Sequence, residues 1–184
     1  MATNYFSKWV GAAAYKKIRE KEVIDFIWNH VICRVKISKE ITCDNGPQFI
    51  GAKVTSFLEE LSIKSITSSP YHPSGYNHAE STNKTVILNL KKKLEDAKGA
   101  WPSKLPEVLW AYRTTMKSSI DETPFFLVYG AKALIPMEVE APNSWYDWAQ
   151  RQANSEAMSI QLALLEEHRD LAYVRIMAQK QQME

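Results

Sequence analysis

Apolar residues recur along this chain at two spacings, and the switches between them mark out its elements. Tyr5 to Val10 reads as a strand. From about residue 22 to 35 the period becomes helical, with Val23, Phe26, Ile27, His30 and Val31 on one face. Glu40 to Cys43 is a short strand, broken by Asn45-Gly46-Pro47. A second helix spans about 48–61, turning Phe49, Val54, Phe57, Leu58 and Leu61 inward. From Ser62 to Thr67 the apolar residues Ile63 and Ile66 sit among polar ones, as in a half-buried strand. Ser68 to Gly75 carries two prolines and a glycine, which forbid regular structure. A long helix over 77–97 follows. Asn77 stands at its cap position, Glu80 lies three residues on, and Val86, Leu90, Leu94 and Ala97 form the buried stripe.

Another helix runs from Pro102 or Pro106 to about Thr115, with Leu105, Leu109, Trp110 and Tyr112 inward. Thr123-Pro124-Phe125 opens a short helix ending at Gly130. Ala141-Pro142-Asn143 marks a boundary, and one amphipathic helix fills about 150–182. Its Met158, Leu162, Leu165, Ala172 and Ile176 follow heptad-like steps, with Arg169 interrupting. The alternation of strands and helices predicts an α/β fold. Trp9, Trp28 and Trp110 lie among apolar neighbours and read as core, whereas Trp145 and Trp148 read as exposed.

Charge changes this picture more than composition does. The chain has 184 residues and a net charge of +2, unevenly divided. Residues 1–100 hold 15 Lys/Arg against 10 Asp/Glu, and residues 101–184 hold 8 against 11. The basic half suits a polyanion, though many inert domains share that bias. Cys33 and Cys43 are the only cysteines, and no CxxC or Cys/His cluster exists, which disfavours structural zinc and suits reduced thiols. No run approaches the ~20 apolar residues that a membrane-spanning helix needs.

The candidate chemistry sits in the basic half. Asp44 follows a strand end and Glu80 lies near a helix start, 36 positions apart. Carboxylates so placed can converge on a divalent metal that serves phosphoryl transfer. Each also has a plainer reading. Asp44 before Asn45-Gly46 is a turn former, and Glu80 suits a helix cap. Such a metal site wants a third carboxylate, and nothing before Asp44 supplies one convincingly. Asn83 and Lys84 lie one turn past Glu80, so Lys84 can meet a phosphate or pair with Glu80. Lys91-Lys92-Lys93 cannot share one helix face and reads as a solvated surface. Tyr71 and His72 can stack on exposed bases or anchor their loop. His78 has no partner at zinc spacing.

Three segments together carry a family resemblance. Cys43-Asp44-Asn45-Gly46-Pro47-Gln48-Phe49, Ser69-Pro70-Tyr71-His72-Pro73 and Ala79-Glu80-Ser81-Thr82-Asn83-Lys84 resemble a retroelement integrase catalytic core. The likeness is greatest to the plant gypsy-type LTR-retrotransposon polyprotein. Tyr5-Phe6-Ser7-Lys8-Trp9, Leu109 to Thr115, Thr123-Pro124-Phe125 and Val128-Tyr129-Gly130 match the same group, so the resemblance covers almost the whole chain. It implies a ribonuclease-H-like fold lacking its first strand, followed by a long C-terminal helix. The implied division is a partial core over 1–140 and a linker with helix over 141–184.

The resemblance further implies DNA integration through Mg²⁺ or Mn²⁺ held by Asp44 and Glu80. Asn83, Lys84, Tyr71 and His72 would meet DNA. It implies an intracellular, nuclear protein. The family's first metal-binding Asp is expected upstream of this segment. Asn4 stands where relatives carry Asp, at a position outside the metal set. Tyr76 and His78 stand where relatives have small or amide residues. These departures lead to an expectation of impaired catalysis. The alternatives are a non-catalytic DNA- or protein-binding module and a relic without a selected role. The apolar face of the C-terminal helix leads to an expectation of self-association.

Overall fold

The computed structural model describes residues 1–35, 37–67, 76–94, 101–133 and 153–182. The elements are β1 (Ala2–Thr3), β2 (Val10–Gly11), α1 (Glu20–Phe26), β3 (Glu40–Cys43), α2 (Pro47–Ile50), α3 (Ala52–Glu60), β4 (Lys64–Thr67), α4 (Tyr76–Leu94), α5 (Trp101–Thr114), α6 (Pro124–Tyr129) and α7 (Ala153–Gln182). This is the mixed helix and strand composition expected of an α/β chain. It divides into two compact units, Met1–Thr3 with Val10–Leu109, and Asn4–Trp9 with Trp110–Glu184.

The core of the first unit is Val23, Ile27, Val54, Leu58 and Ile63, ringed by half-buried Phe26, Phe49 and Phe57 among others. Val23 with Ile27, and Val54 with Leu58, are i, i+4 pairs, so each helix presents one stripe inward. α1 continues as a π-helical turn, Ile27–Ile32, in which the Cys33 N–H donates to the Trp28 carbonyl at 3.0 Å. Trp28 lies about 100° round the helix from Ile27, off the core stripe. It is 46% exposed, which corrects its assignment to the core. The helix expected over 48–61 is two helices, because Gly51 adopts an extended conformation between α2 and α3.

The α3 N-terminus is capped from a distance. The Glu20 carboxylate accepts from the Lys53 N–H at 2.9 Å, and a β-carbon at Gly51 would collide with that carboxylate. A carboxylate there satisfies an orphan amide and meets the positive end of the helix dipole. Glu20→Ala is therefore expected to cost about 1 kcal/mol in urea unfolding. An unchanged midpoint would show that the cap contributes nothing.

β3 and β4 pair in parallel, with Cys43 opposite Thr67. β1 and β2 pair antiparallel. The single strand expected over Tyr5–Val10 is instead a turn between two short strands. Asn4 is the cause. Its Oδ1 accepts from the Ser7 N–H at 2.9 Å and from the Ser7 hydroxyl at 3.1 Å, which folds the chain back. Lys8 completes the turn at φ +57°. Asn4 thus has a structural task in this turn.

In the second unit Ile120, Leu127, Ala172 and Ile176 form the core, with Phe6 and Phe126 against it. Trp9 is buried between the Arg113 guanidinium, 4.2 Å from its ring, and Tyr129. α6 begins and ends as its sequence predicts. The Thr123 hydroxyl accepts from the Phe126 N–H at 3.1 Å, Pro124 starts the helix, and Gly130 ends it at φ +72°. α7 lies on α6 through Leu165, Ala172 and Ile176. Arg169, which breaks the apolar stripe, donates through Nε and Nη2 to the Leu127 carbonyl at 3.2 and 3.0 Å. A cation at a helix C-terminus opposes the dipole and occupies carbonyls that the helix leaves open.

Lys8 is 6% exposed, with the Tyr5 ring 4.5 Å from its ammonium group, and burial pushes its pKa below the ordinary 10.5. The unfolded chain then holds this proton more tightly than the folded one. Lys8 therefore penalises folding below its folded pKa, and the penalty fades as pH rises towards 10.5. Lys8→Met is expected to stabilise the protein at pH 7, with a gain that shrinks by pH 10 in urea titrations. An equal gain at both pH values would assign the effect to packing.

Candidate metal and DNA-binding site

Asp44 directly follows β3, whose position is fixed by its pairing with β4. It is exposed, and its Oδ1 accepts from the Asn45 N–H at 2.8 Å. The turn role read from Asn45-Gly46 is therefore real, and it coexists with a carboxylate open to solvent. Cys43, one residue earlier, is half-buried, and burial pushes its thiol above the ordinary value. A neutral thiol is a poor metal ligand, so the chemistry of this strand end belongs to Asp44.

Glu80 lies on α4 and is exposed. Its Oε1 is 3.7 Å from the Lys84 ammonium, with both side chains more than half exposed. Such a pair contributes about 0.3–0.5 kcal/mol and leaves the carboxylate accessible. The capping role foreseen for Asn77 fails, because Tyr76 is already helical and Asn77 falls inside the first turn. Glu80 consequently sits one turn into the helix. Thr82 and Val86 are buried, Asn83 is half-buried, and α4 packs on β1, so the helix is held by the face opposite Lys84.

Lys91 and Lys92 are exposed, as a solvated face requires. Tyr71 and His72 lie outside the described residues, as do Trp145 and Trp148. His78 falls within α4. Among the described residues no three His, Cys, Asp or Glu side chains cluster as a metal site would need. None of their helices is long and apolar enough to cross a membrane.

Sequence reading passed over one feature of α4. Ile87 and Leu88 are exposed between Lys84 and Lys91. The signal was present, since Val86-Ile87-Leu88 are consecutive and a helix turns ~100° per residue. Three adjacent apolar residues cannot all face one core.

No protein-family model matches the chain. It is 33% identical over 128 residues to the Gag-Pol polyprotein of avian reticuloendotheliosis virus, an alignment covering 69% of this chain and 11% of the polyprotein. The chain thus spans about a tenth of that relative's length. Among solved structures it resembles the simian T-cell lymphotropic virus intasome in complex with the PP2A regulatory subunit B56 gamma. That match has a TM-score of 0.62 and 23% identity, and covers 73% of this chain and 48% of the other. It also resembles the HTLV-2 integrase catalytic core domain in complex with magnesium, with a TM-score of 0.57 and 22% identity, over 67% of this chain and 78% of that one. The fold is that of retroviral integrase catalytic cores, the ribonuclease-H-like fold that the three motif segments implied.

Proposed function

We propose that the chain is the core segment of a retroelement integrase, of the gypsy type, whose ancestral reaction is the metal-dependent cutting and joining of DNA strands. The observation that carries this reading is Asp44, an open carboxylate at the end of a parallel strand, in a chain with the integrase-core fold. The proposed division is a core over 1–140 and a linker with helix over 141–184. The proposed setting is the nucleus. Self-association through α7 belongs to the same reading.

The donor set fits Mg²⁺ or Mn²⁺ in kind. Asp44 and Glu80 offer hard, accessible oxygens, and Mg²⁺ is commonly held by one or two carboxylates together with waters and phosphates. Such an ion, when bound, offsets negative charge at a phosphodiester under attack. The chain's own residues hold and orient. Asp44 and Glu80 fix the ion. Lys84 and Asn83 present donors to a backbone phosphate, and Tyr71 and His72 are assigned to the DNA end. The reaction wants three carboxylates and no residue before Asp44 supplies a convincing third, so catalysis by residues 1–184 alone is expected to be weak. The same observation favours a second reading, a module that binds DNA without chemistry.

The test is binding and strand joining of duplex DNA by the full chain with Mn²⁺. Expected are binding that weakens with salt and little joining. Robust joining abolished by Glu80→Gln would overturn the impairment. No binding at low salt would sink the DNA reading.

A further inference from the structure

α7 carries two apolar stripes. The first, through Leu165, Ala172 and Ile176, is buried on α6. The second runs Ile160, Leu164, Leu171 and Val174, and these four are 46–62% exposed. Their steps of four, seven and three residues keep a heptad period, with Glu167 at the intervening position. A seam of that period fits another helix better than a flat surface or a strand. Glu167 lies within this face and Asp170 flanks it, both exposed. Arg169 is engaged on the opposite side with the Leu127 carbonyl, and Arg175, at the border of this face beside Leu164 and Leu171, is paired with Asp121. The open face is thus apolar and acidic. Pairing it with the same face of another α7 would set acid against acid.

α4 offers the complementary face. Lys84, Ile87, Leu88 and Lys91 fall within about 100° of helix surface, with Lys92 at its edge, all of them exposed. Past the Glu80–Lys84 pair, this face is apolar and basic. At 1.5 Å per residue, Lys84 to Lys92 spans about 12 Å, and Ile160 to Val174 about 21 Å. The α4 face covers about half of the α7 seam, and the two are alike in apolar content and opposite in charge.

We propose that the open face of α7 docks on the Lys84–Lys92 face of α4 in a second copy of this chain. Each copy contributes one α7 and one α4 to such contacts. The proposal rests on the self-association reading and names its surfaces. It also makes dimerisation compete with DNA at Lys84.

The test is sedimentation velocity on the full chain over a concentration series, with circular dichroism to confirm unchanged helix content. Two charge reversals are made, Glu167→Lys with Asp170→Lys, and Lys91→Glu with Lys92→Glu. Each pair alone is expected to weaken the dimer at least about tenfold, and the four together to restore it. A chain that stays monomeric throughout would overturn the self-association reading and this proposal with it. A dimer indifferent to both reversals but broken by Leu171→Asp would keep self-association and assign it to paired α7 helices. Weakening without rescue by the fourfold variant would also overturn the α7–α4 match.

Discussion

Asp44→Asn and Glu80→Gln are each expected to lower Mn²⁺ affinity about ten- to hundredfold in calorimetric titrations, while leaving the fold intact. The exchange is nearly isosteric in both cases. At Asp44 the reason for an intact fold is specific. An asparagine retains the oxygen that accepts from the Asn45 N–H, so the turn after β3 keeps its bond and loses only charge. At Glu80 the loss to stability is confined to the exposed pair with Lys84, about 0.3–0.5 kcal/mol. Affinity for hard divalent ions depends steeply on the number of charged oxygen donors. If both residues hold one ion, the two substitutions will each weaken binding, and the double variant will lose less than the product of the single effects. If Asp44 only makes a turn and Glu80 only pairs with Lys84, both variants will titrate as the parent does. Lys84→Ala separates the readings further. It removes a cation beside the site and should strengthen metal binding slightly, whereas DNA binding should weaken.

The placement of Asp44 after β3 and of Glu80 on α4 was legible in the sequence because each is tied to a strong local signal. Asp44 precedes Asn45-Gly46-Pro47, which can only end a strand, and Glu80 precedes a long helical period. The short helix α6 was legible for the same reason, since Thr123, Pro124 and Gly130 each perform a specific end task. What could not be read were decisions taken by contacts distant in sequence or by a single side chain. Asn4 turns the chain back through Ser7 and cuts the apparent strand over Tyr5–Val10 in two. Glu20 reaches across 33 residues to cap α3, fixing a helix break at Gly51 that an unbroken apolar period concealed. Arg169 read as an interruption of the α7 stripe. It instead closes the carbonyl end of α6, a partner 42 residues away in sequence.

Leu58→Ala is expected to cost about 2–5 kcal/mol, and Leu88→Ala less than about 0.5 kcal/mol, in urea unfolding at low protein concentration. Both are helical leucines with the same intrinsic helix preference. Their surroundings differ completely, since Leu58 is 1% exposed and Leu88 is 57% exposed. Leu58 packs with Val23, Ile27, Val54 and Ile63, so its removal loses transfer energy and leaves a cavity among side chains fixed on α1 and α3. A domain of ordinary stability has only ~5–15 kcal/mol in total, so that single change consumes a large share. β3 is tied to this core through half-buried Ile41, so the loss extends to the strand that Asp44 directly follows. Metal affinity in Leu58→Ala should therefore fall as the urea midpoint falls, although Leu58 is no ligand. Leu88→Ala should leave both unchanged at concentrations where the chain is monomeric. A Leu58→Ala variant as stable as the parent would show that the Val23–Ile63 cluster does not hold the first unit together, and the support argued for Asp44 would fail with it.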